Sequence, residues 1–297
     1  TEGKIIWSWH IWFTDKPKDV VTGNYHLMDR FLGATYAPTI TENTKISFAN
    51  DNQRLATYGF YYQWGKKDPF FGPRTVDGNN SSTDNSADCS TYWTKAYNAE
   101  TWTRNTTFVT ADRVRVCDAP ATPLTFRKRS GTADTGEGSY WFTDDFRVNQ
   151  REQNMWGYGQ TGGGEGQGVT KTMHDPCPPG YRAMYHQVWH VSNDNTYVGT
   201  SDGSKTLNNN SSENFYHGNG IVLTNSGFDL AWYPFTGYRQ GNNGGLTGVG
   251  TNGAIFTCMP YSKNGHSEGR YYNYSKTQTK NTHTGVAIAK AIRCEKE

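Results

Sequence analysis

Aromatic rings, rather than aliphatic side chains, must build the interior of this chain. Leu, Ile, Val and Phe together stay under the ~20% level that accompanies disorder, while 10 Trp, 19 Tyr and 14 Phe make up 14% of the 297 residues. Disorder also requires few aromatics and a large net charge; here 29 basic and 27 acidic residues leave only +2. Each buried ring removes on the order of 150–250 Å² from water, so rings supply the burial that aliphatics do not. A mean hydropathy of −0.82 then describes a polar, loop-rich surface around an aromatic core. The near-neutral charge argues against a nucleic-acid partner, which leaves a basic footprint. The basic run from Arg113 to Arg129 is broken by Asp118, Pro120 and Pro123 and reads as a solvated loop. No run reaches the ~20 apolar residues of a membrane helix. The opening residues lack a basic-then-apolar secretion signal, so a soluble mature form, or a sequence trimmed of its leader, without a membrane span is expected.

Period-two, aromatic and β-branched runs dominate, as strands require. They are Lys4–Thr14 (KIIWSWHIWFT), Tyr25–Asp29, Thr107–Val116, Leu230–Gly237, Ala254–Met259, Arg270–Ser275 and Gly285–Cys294. Helical spacing is confined to Asn50–Trp64, where Asp51 is a candidate cap, and to Arg182–Val191 after the prolines at 178 and 179. Loops rich in Gly, Asn, Ser and Thr fill 77–90, 159–170, 193–219, 239–253 and 260–269. Strands at both ends leave ladder groups that need partners, and pairing 4–14 with 285–294 would close one sheet. The expectation is a single α+β domain over 1–297, with two short helices, a mixed or antiparallel sheet, adjacent termini and long loop insertions.

Several chemical motifs fail on context. G-x-G-x-x-G occurs at 157–162 and 248–253, but a dinucleotide site needs a strand before it and a helix after it; with 33 glycines, turn glycine is the better reading. G-x-S-x-G at 199–203 is followed by a polar loop instead of the helix a nucleophile elbow requires. His186 and His190 stand at i and i+4 on the second expected helix, a spacing that suits one metal ion, yet Gln187 cannot act as the base of a zinc peptidase. Asp77, Asn79, Asn80, Asp84 and Asp88 offer hard oxygens without the glycine and closing glutamate of a calcium loop. No catalytic or metal-ligating residue and no cofactor is assigned. Among five widely spaced cysteines, Cys177 with Cys294 is the better candidate bridge and Cys89 with Cys117 the weaker; buried free thiols remain open.

The stretch from Trp232 to Ser275 mixes Tyr, Asn, Ser and Gly, the palette of recognition loops, where rigid rings give area and amides give adaptable hydrogen bonds. The candidate ligand-binding residues are Trp232, Tyr233, Arg239, Asn242, Asn243, Asn252, Tyr261, Asn264, His266, Arg270, Tyr272 and Asn273. Strand alternation would send about half of these rings inward.

Five segments together carry a resemblance: WSWHIW at 7–12, HLMDRFLGAT at 26–35, GFYYQWGKKDPF at 59–70, HDPCPPGYR at 174–182 and AIRCEKE at 291–297. In these the chain resembles the large paralogous family of secreted proteins from Bacteroidota and Fibrobacter. Residues 75–150 and 193–228 are unmatched and read as insertions. The resemblance implies a C-type-lectin-like fold close to that of formylglycine-generating enzymes. It also implies an adhesin on the cell surface, in an outer-membrane lipoprotein or at a fimbrial tip, with a glycan or protein ligand on a host or neighbouring cell. Some relatives are diversified by retroelements in the region matching 251–275. The triplets E-P-N, Q-P-D and W-N-D of calcium-dependent lectins do not occur, and no calcium site is carried over. Cys258 and Cys294 are too far apart to match the enzymes' cysteine pair. A structural pilus subunit contacting other subunits, and an enzyme of the formylglycine-generating or metal-dependent type, are the alternatives. Strand donation would need a spare strand, and none is expected.

Overall fold

The computed structural model describes residues 5–40, 46–73, 75–76, 92–94, 100–101, 103–105, 109–132, 137–144, 154–157, 170–189, 205–206, 214–216, 219–223, 229–263, 266–276 and 278–297. The strands in chain order are β1 (Asp19–Thr22), β2 (Tyr25–Phe31), β3 (Tyr62–Gln63), β4 (Tyr92–Thr94), β5 (Thr103–Asn105), β6 (Thr110–Ala111), β7 (Phe126–Arg127), β8 (Tyr181–Ala183) and β9 (Lys205–Thr206). They continue with β10 (Asn214–Tyr216), β11 (Gly220–Leu223), β12 (Ala231–Pro234), β13 (Thr236–Arg239), β14 (Leu246–Val249), β15 (Asn252–Lys263), β16 (His266–Ser275), β17 (Gln278–Thr284) and β18 (Ala289–Lys296). Among the described residues, one α-helix, α1 (Asp51–Leu55), and two 3₁₀ turns accompany them. The protein is mostly β with little helix, within the α+β class expected.

An 11-stranded sheet runs β1-β2-β18-β13-β15-β16-β17-β9, with β14 on β13 and both β3 and β8 on β18. The last strand is its hub. β18 pairs antiparallel with β2, β3, β8 and β13 and parallel with β15. Its first seven residues are buried. Smaller sheets are β10-β11-β12, β4-β5 and β6-β7.

The core is ring-built. Trp64, Trp141, Trp156 and Trp189 are among its largest fully buried side chains. Buried Trp and Tyr need partners for their polar tips, and backbone carbonyls provide them. Trp64 Nε1 donates to Thr257 O at 2.9 Å, Trp141 Nε1 to Trp64 O at 2.8 Å, and Tyr274 OH to Pro234 O at 2.8 Å. Four cations are buried in the same way. Arg293 donates to Met28 O at 2.7 Å and lies 4.3 Å from the Tyr233 ring centroid. Lys290 sits 3.9 Å from the ring of Tyr271 and 4.3 Å from that of Tyr238. Arg239 donates to Gly244 O and Phe71 O, at 2.7 and 2.8 Å. Lys66 donates to Thr125 O at 2.9 Å, and burial pulls its pKa down to about 7.

Several expectations are corrected. Residues 5–14 do not pair with the C-terminal strand, because the hairpin β1–β2 already occupies that place through Arg293↔Phe31 and Glu295↔Leu27. The first helix covers only Asp51–Leu55, capped by Asn50, whose side chain accepts from Gln53 N. Gly59 at φ +69° then turns the chain, and Tyr62 pairs with Lys290. A Cβ at Gly59 would lie 2.6 Å from Leu32 O, so the turn requires glycine. Of the expected helix over 182–191, residues 182–189 are described and form none: the prolines lead through Gly180 (φ +79°) into β8, which pairs with β18. Thr107–Val116 shortens to β6 among the described residues, and the expected loops 239–253 and 260–269 contain β14 and the facing ends of β15 and β16. Of the second motif's glycines, Gly250 (φ +77°) lies in the turn from β14 to β15, as the turn-glycine reading expects, while Gly248 and Gly253 stand in those strands.

Cys177 and Cys294 form the expected disulfide, joining the turn before β8 to β18 across a sequence separation of 117. Cys117 is an exposed free thiol and Cys258 a buried one; Cys89 lies outside the described residues. Loop-closure entropy assigns a bridge of this span about 4–5 kcal/mol. Denaturant titration of a Cys177→Ser, Cys294→Ser double variant is therefore expected to show a loss approaching that size. A loss below about 1 kcal/mol would mean the reduced chain already holds these segments together.

Candidate functional site

The hairpin β15–β16 and its neighbour β17 carry the candidate contact residues with the best-defined geometry. Register runs evenly from Asn252↔Ser275 to Phe256↔Tyr271, then shifts before Pro260↔Gly269. Residues 257–259 of β15 thus bulge opposite Arg270 alone. Backbone groups freed by such a bulge need other partners. Thr257 O accepts from Trp64 Nε1, Cys258 N donates to Met184 O at 2.9 Å, and Thr257 Oγ1 donates to Arg270 O at 3.0 Å. The bulge is therefore fixed from three sides.

Beyond it, Tyr261 pairs across the ladder with Glu268, and Arg270 with His283. These four share one face of the sheet because side chains two apart on a strand point the same way. The Tyr261 and His283 rings stack at 4.1 Å and 15°, and the Arg270 guanidinium lies 5.0 Å from the Tyr261 ring centroid. His283 Nδ1 is hydrogen-bonded to the buried Glu268 carboxylate, which fixes the imidazole in its stacked plane. Tyr261 and Arg270 are half-buried, and the His283 side chain is 20% exposed. The result is a pre-ordered guanidinium–phenol–imidazole group near the hairpin end, combining apolar ring area with polar edges.

The other sequence candidates separate by burial. Trp232, Tyr233, Arg239 and Tyr272 belong to the core and are corrected as contact residues. Trp232 Nε1 donates to Thr57 Oγ1, Tyr233 lies under Arg293, Arg239 ties Phe71 to Gly244, and Tyr272 packs 4.4 Å from Trp189. Trp232 and Tyr233 are consecutive, so alternation sends them to opposite faces of β12, and both faces are covered. Asn242 and Asn243 are exposed in the β13–β14 turn, where Asn243 Oδ1 accepts from Gly245 N at 2.8 Å. Asn252 and Asn273 are half-buried, at opposite ends of the paired region from Tyr261. Asn264 lies outside the described residues, as does the side chain of His266. So do His190, the 77–88 loop and the G-x-S-x-G motif. No group of three or more His, Cys, Asp or Glu side chains placed to hold a metal occurs among the described residues. Burial pushes the Cys258 thiol up, and Cys294 is committed to the disulfide.

Sequence reasoning passed over Glu268 and His283, which stand in runs that look merely polar. It also passed over a second polar cluster that holds the N-terminal segment. Lys67 Nζ donates to Ser8 O and to Asp68 Oδ1, each at 2.7 Å, and Ser8 Oγ donates to Asp68 Oδ1 at 2.5 Å. Lys67 also lies 4.5 Å from the Trp7 ring centroid. His10 stands 3.4 Å from Tyr62 OH and packs on Phe60; Trp7 packs on His174. Burial holds both imidazoles below their ordinary pKa of 6.5.

No protein-family model matches this chain, and no similar curated protein or solved structure is found. No helix among the described residues is long and apolar enough to cross a membrane.

The two histidines set a pH dependence. Their folded pKa values lie below the unfolded one, so stability is fully present above pH 6.5 and is lost as pH falls through the interval below it. Limited proteolysis within residues 5–14, scaled to the cleavage rate of an unfolded reference peptide, is expected to quicken roughly several-fold between neutral pH and about pH 5.5. A His10→Asn, His174→Asn variant is expected to lose that dependence.

Proposed function

We propose that this chain is a non-enzymatic ligand-binding module of a cell-surface adhesin, built on a C-type-lectin-like fold and recognising a glycan or a protein on a host or neighbouring cell. The observation that carries this reading is the Arg270–Tyr261–His283 stack buttressed by Glu268. Rigid rings with polar edges bind with little loss of conformational freedom, which is why recognition surfaces favour them. The exposed amides of Asn242 and Asn243 extend the same palette. The Cys177–Cys294 bridge supports an extracellular setting, since disulfides persist in oxidising compartments. The five segments of family resemblance, of which HDPCPPGYR contains Cys177 and AIRCEKE contains Cys294, support the fold and the adhesin role together.

The test is a glycan array alongside a host-protein pull-down, run on the native chain and on a Tyr261→Ala, Arg270→Ala, His283→Ala triple variant. Loss of a contact hot spot removes about 2 kcal/mol or more, so binding is expected to weaken at least ~30-fold. Undiminished binding by a variant with native circular dichroism would exclude this hairpin as the contact site.

A further inference from the structure

Residues 5–13 lie outside every sheet, yet they have the pattern of a strand. From Ser8 to Thr14 burial alternates strictly: Ser8, His10, Trp12 and Thr14 face the body, while Trp9, Ile11 and Phe13 are 80%, 72% and 85% exposed. Ile6, at 83%, extends the exposed apolar surface. Period-two burial is the mark of an extended chain lying on a surface.

The inner row is held by side chains rather than by a ladder. Ser8 is gripped by Lys67 and Asp68, His10 rests on Phe60, Trp12 packs on the core and Thr14 Oγ1 accepts from Arg30 at 3.0 Å. Among the described residues, no backbone group of 5–13 bonds to another backbone group. Natural sheets guard such an edge with Lys, Pro or a bulge. Ile5–Phe13 contains no charged residue and no proline; the first of each beyond it are Asp15 and Pro17.

Area indicates what covers it. Taking roughly 200 Å² per large side chain, the exposed rings and isoleucines present on the order of 600–700 Å². That reaches or exceeds the 300–600 Å² typical of the largest patch on a monomer, and it approaches the ~800 Å² per partner of a standard interface. The row is also complementary to itself. Reversed about Ile11, it sets Trp9 against Phe13 and Ile11 against Ile11, so each pair within the exposed row is apolar and carries no charge.

We propose that the occupant is a second copy of this chain, whose exposed row Trp9, Ile11 and Phe13 packs face to face and antiparallel on the same row about a two-fold axis at Ile11. Such an interface is isologous and closes as a dimer. It removes both exposed rows from water at once. This dimer is independent of the ligand surface on β15–β17.

Sedimentation of the native chain across a micromolar-to-submillimolar series tests the dimer. A dimer is expected, and Ile11→Lys, which sets two charges together on the axis, is expected to raise its dissociation constant at least ~100-fold with unchanged circular dichroism. In a Cys89→Ser, Cys117→Ser background, Ile11→Cys is expected to give a covalent dimer on mild oxidation while Lys16→Cys does not. A native chain that stays monomeric throughout overturns the proposal and leaves a different chain as the occupant. A dimer that survives Ile11→Lys overturns it by placing the interface elsewhere.

Discussion

Everything in this fold leans on the burial of one C-terminal strand. Ala289–Lys296 touches five other strands, and its buried run includes Lys290, Arg293 and Glu295. Placing cations at the middle of a sheet is expensive unless their charge is solvated by the protein itself. Here ring faces and main-chain carbonyls do so, as seen for Arg293 between Met28 O and Tyr233, and for Lys290 between Tyr238 and Tyr271. The aromatic composition and the buried cations are thus two sides of one solution. A leucine-built core would offer these side chains no π face.

Much of this was legible in the residues. The ring-rich core and the strands β2, β12, β15 and β16 follow from pattern, while the Cys177–Cys294 bridge was only the better of two candidate pairs until β8 and β18 brought its ends together. Helix and strand were confused where tertiary pairing overrides local spacing. Tyr58 and Tyr62 stand at helical intervals, yet Tyr62 is drawn into a ladder by Lys290. Residues 182–191 read as helical in isolation, but Asp175 accepts from both Cys177 N and Ala183 N, at 2.8 Å each, and fixes the turn that feeds β8.

The site was half legible for a related reason. Composition marks a neighbourhood, while position along the strand decides how deeply each ring is buried. Tyr261 and Arg270 meet near the hairpin end, whereas Tyr272, on the same face two residues nearer the middle of the sheet, is swallowed by the core. The partners that complete the group, Glu268 and His283, come together only because β15, β16 and β17 align Tyr261↔Glu268 and Arg270↔His283. No spacing rule within one strand reports a contact that spans three.

The position of β18 also fixes an order of events in time. Contacts between residues near 30 and residues near 293 close a very long loop, and topologies dominated by such distant pairs fold slowly. The central strand leaves the ribosome after nearly all of its neighbours, so until then β2, β3, β8, β13 and β15 lack their common partner. An emerging chain therefore carries open strand edges throughout its synthesis, and a truncation before residue 289 would strip the sheet of its centre rather than trim its margin.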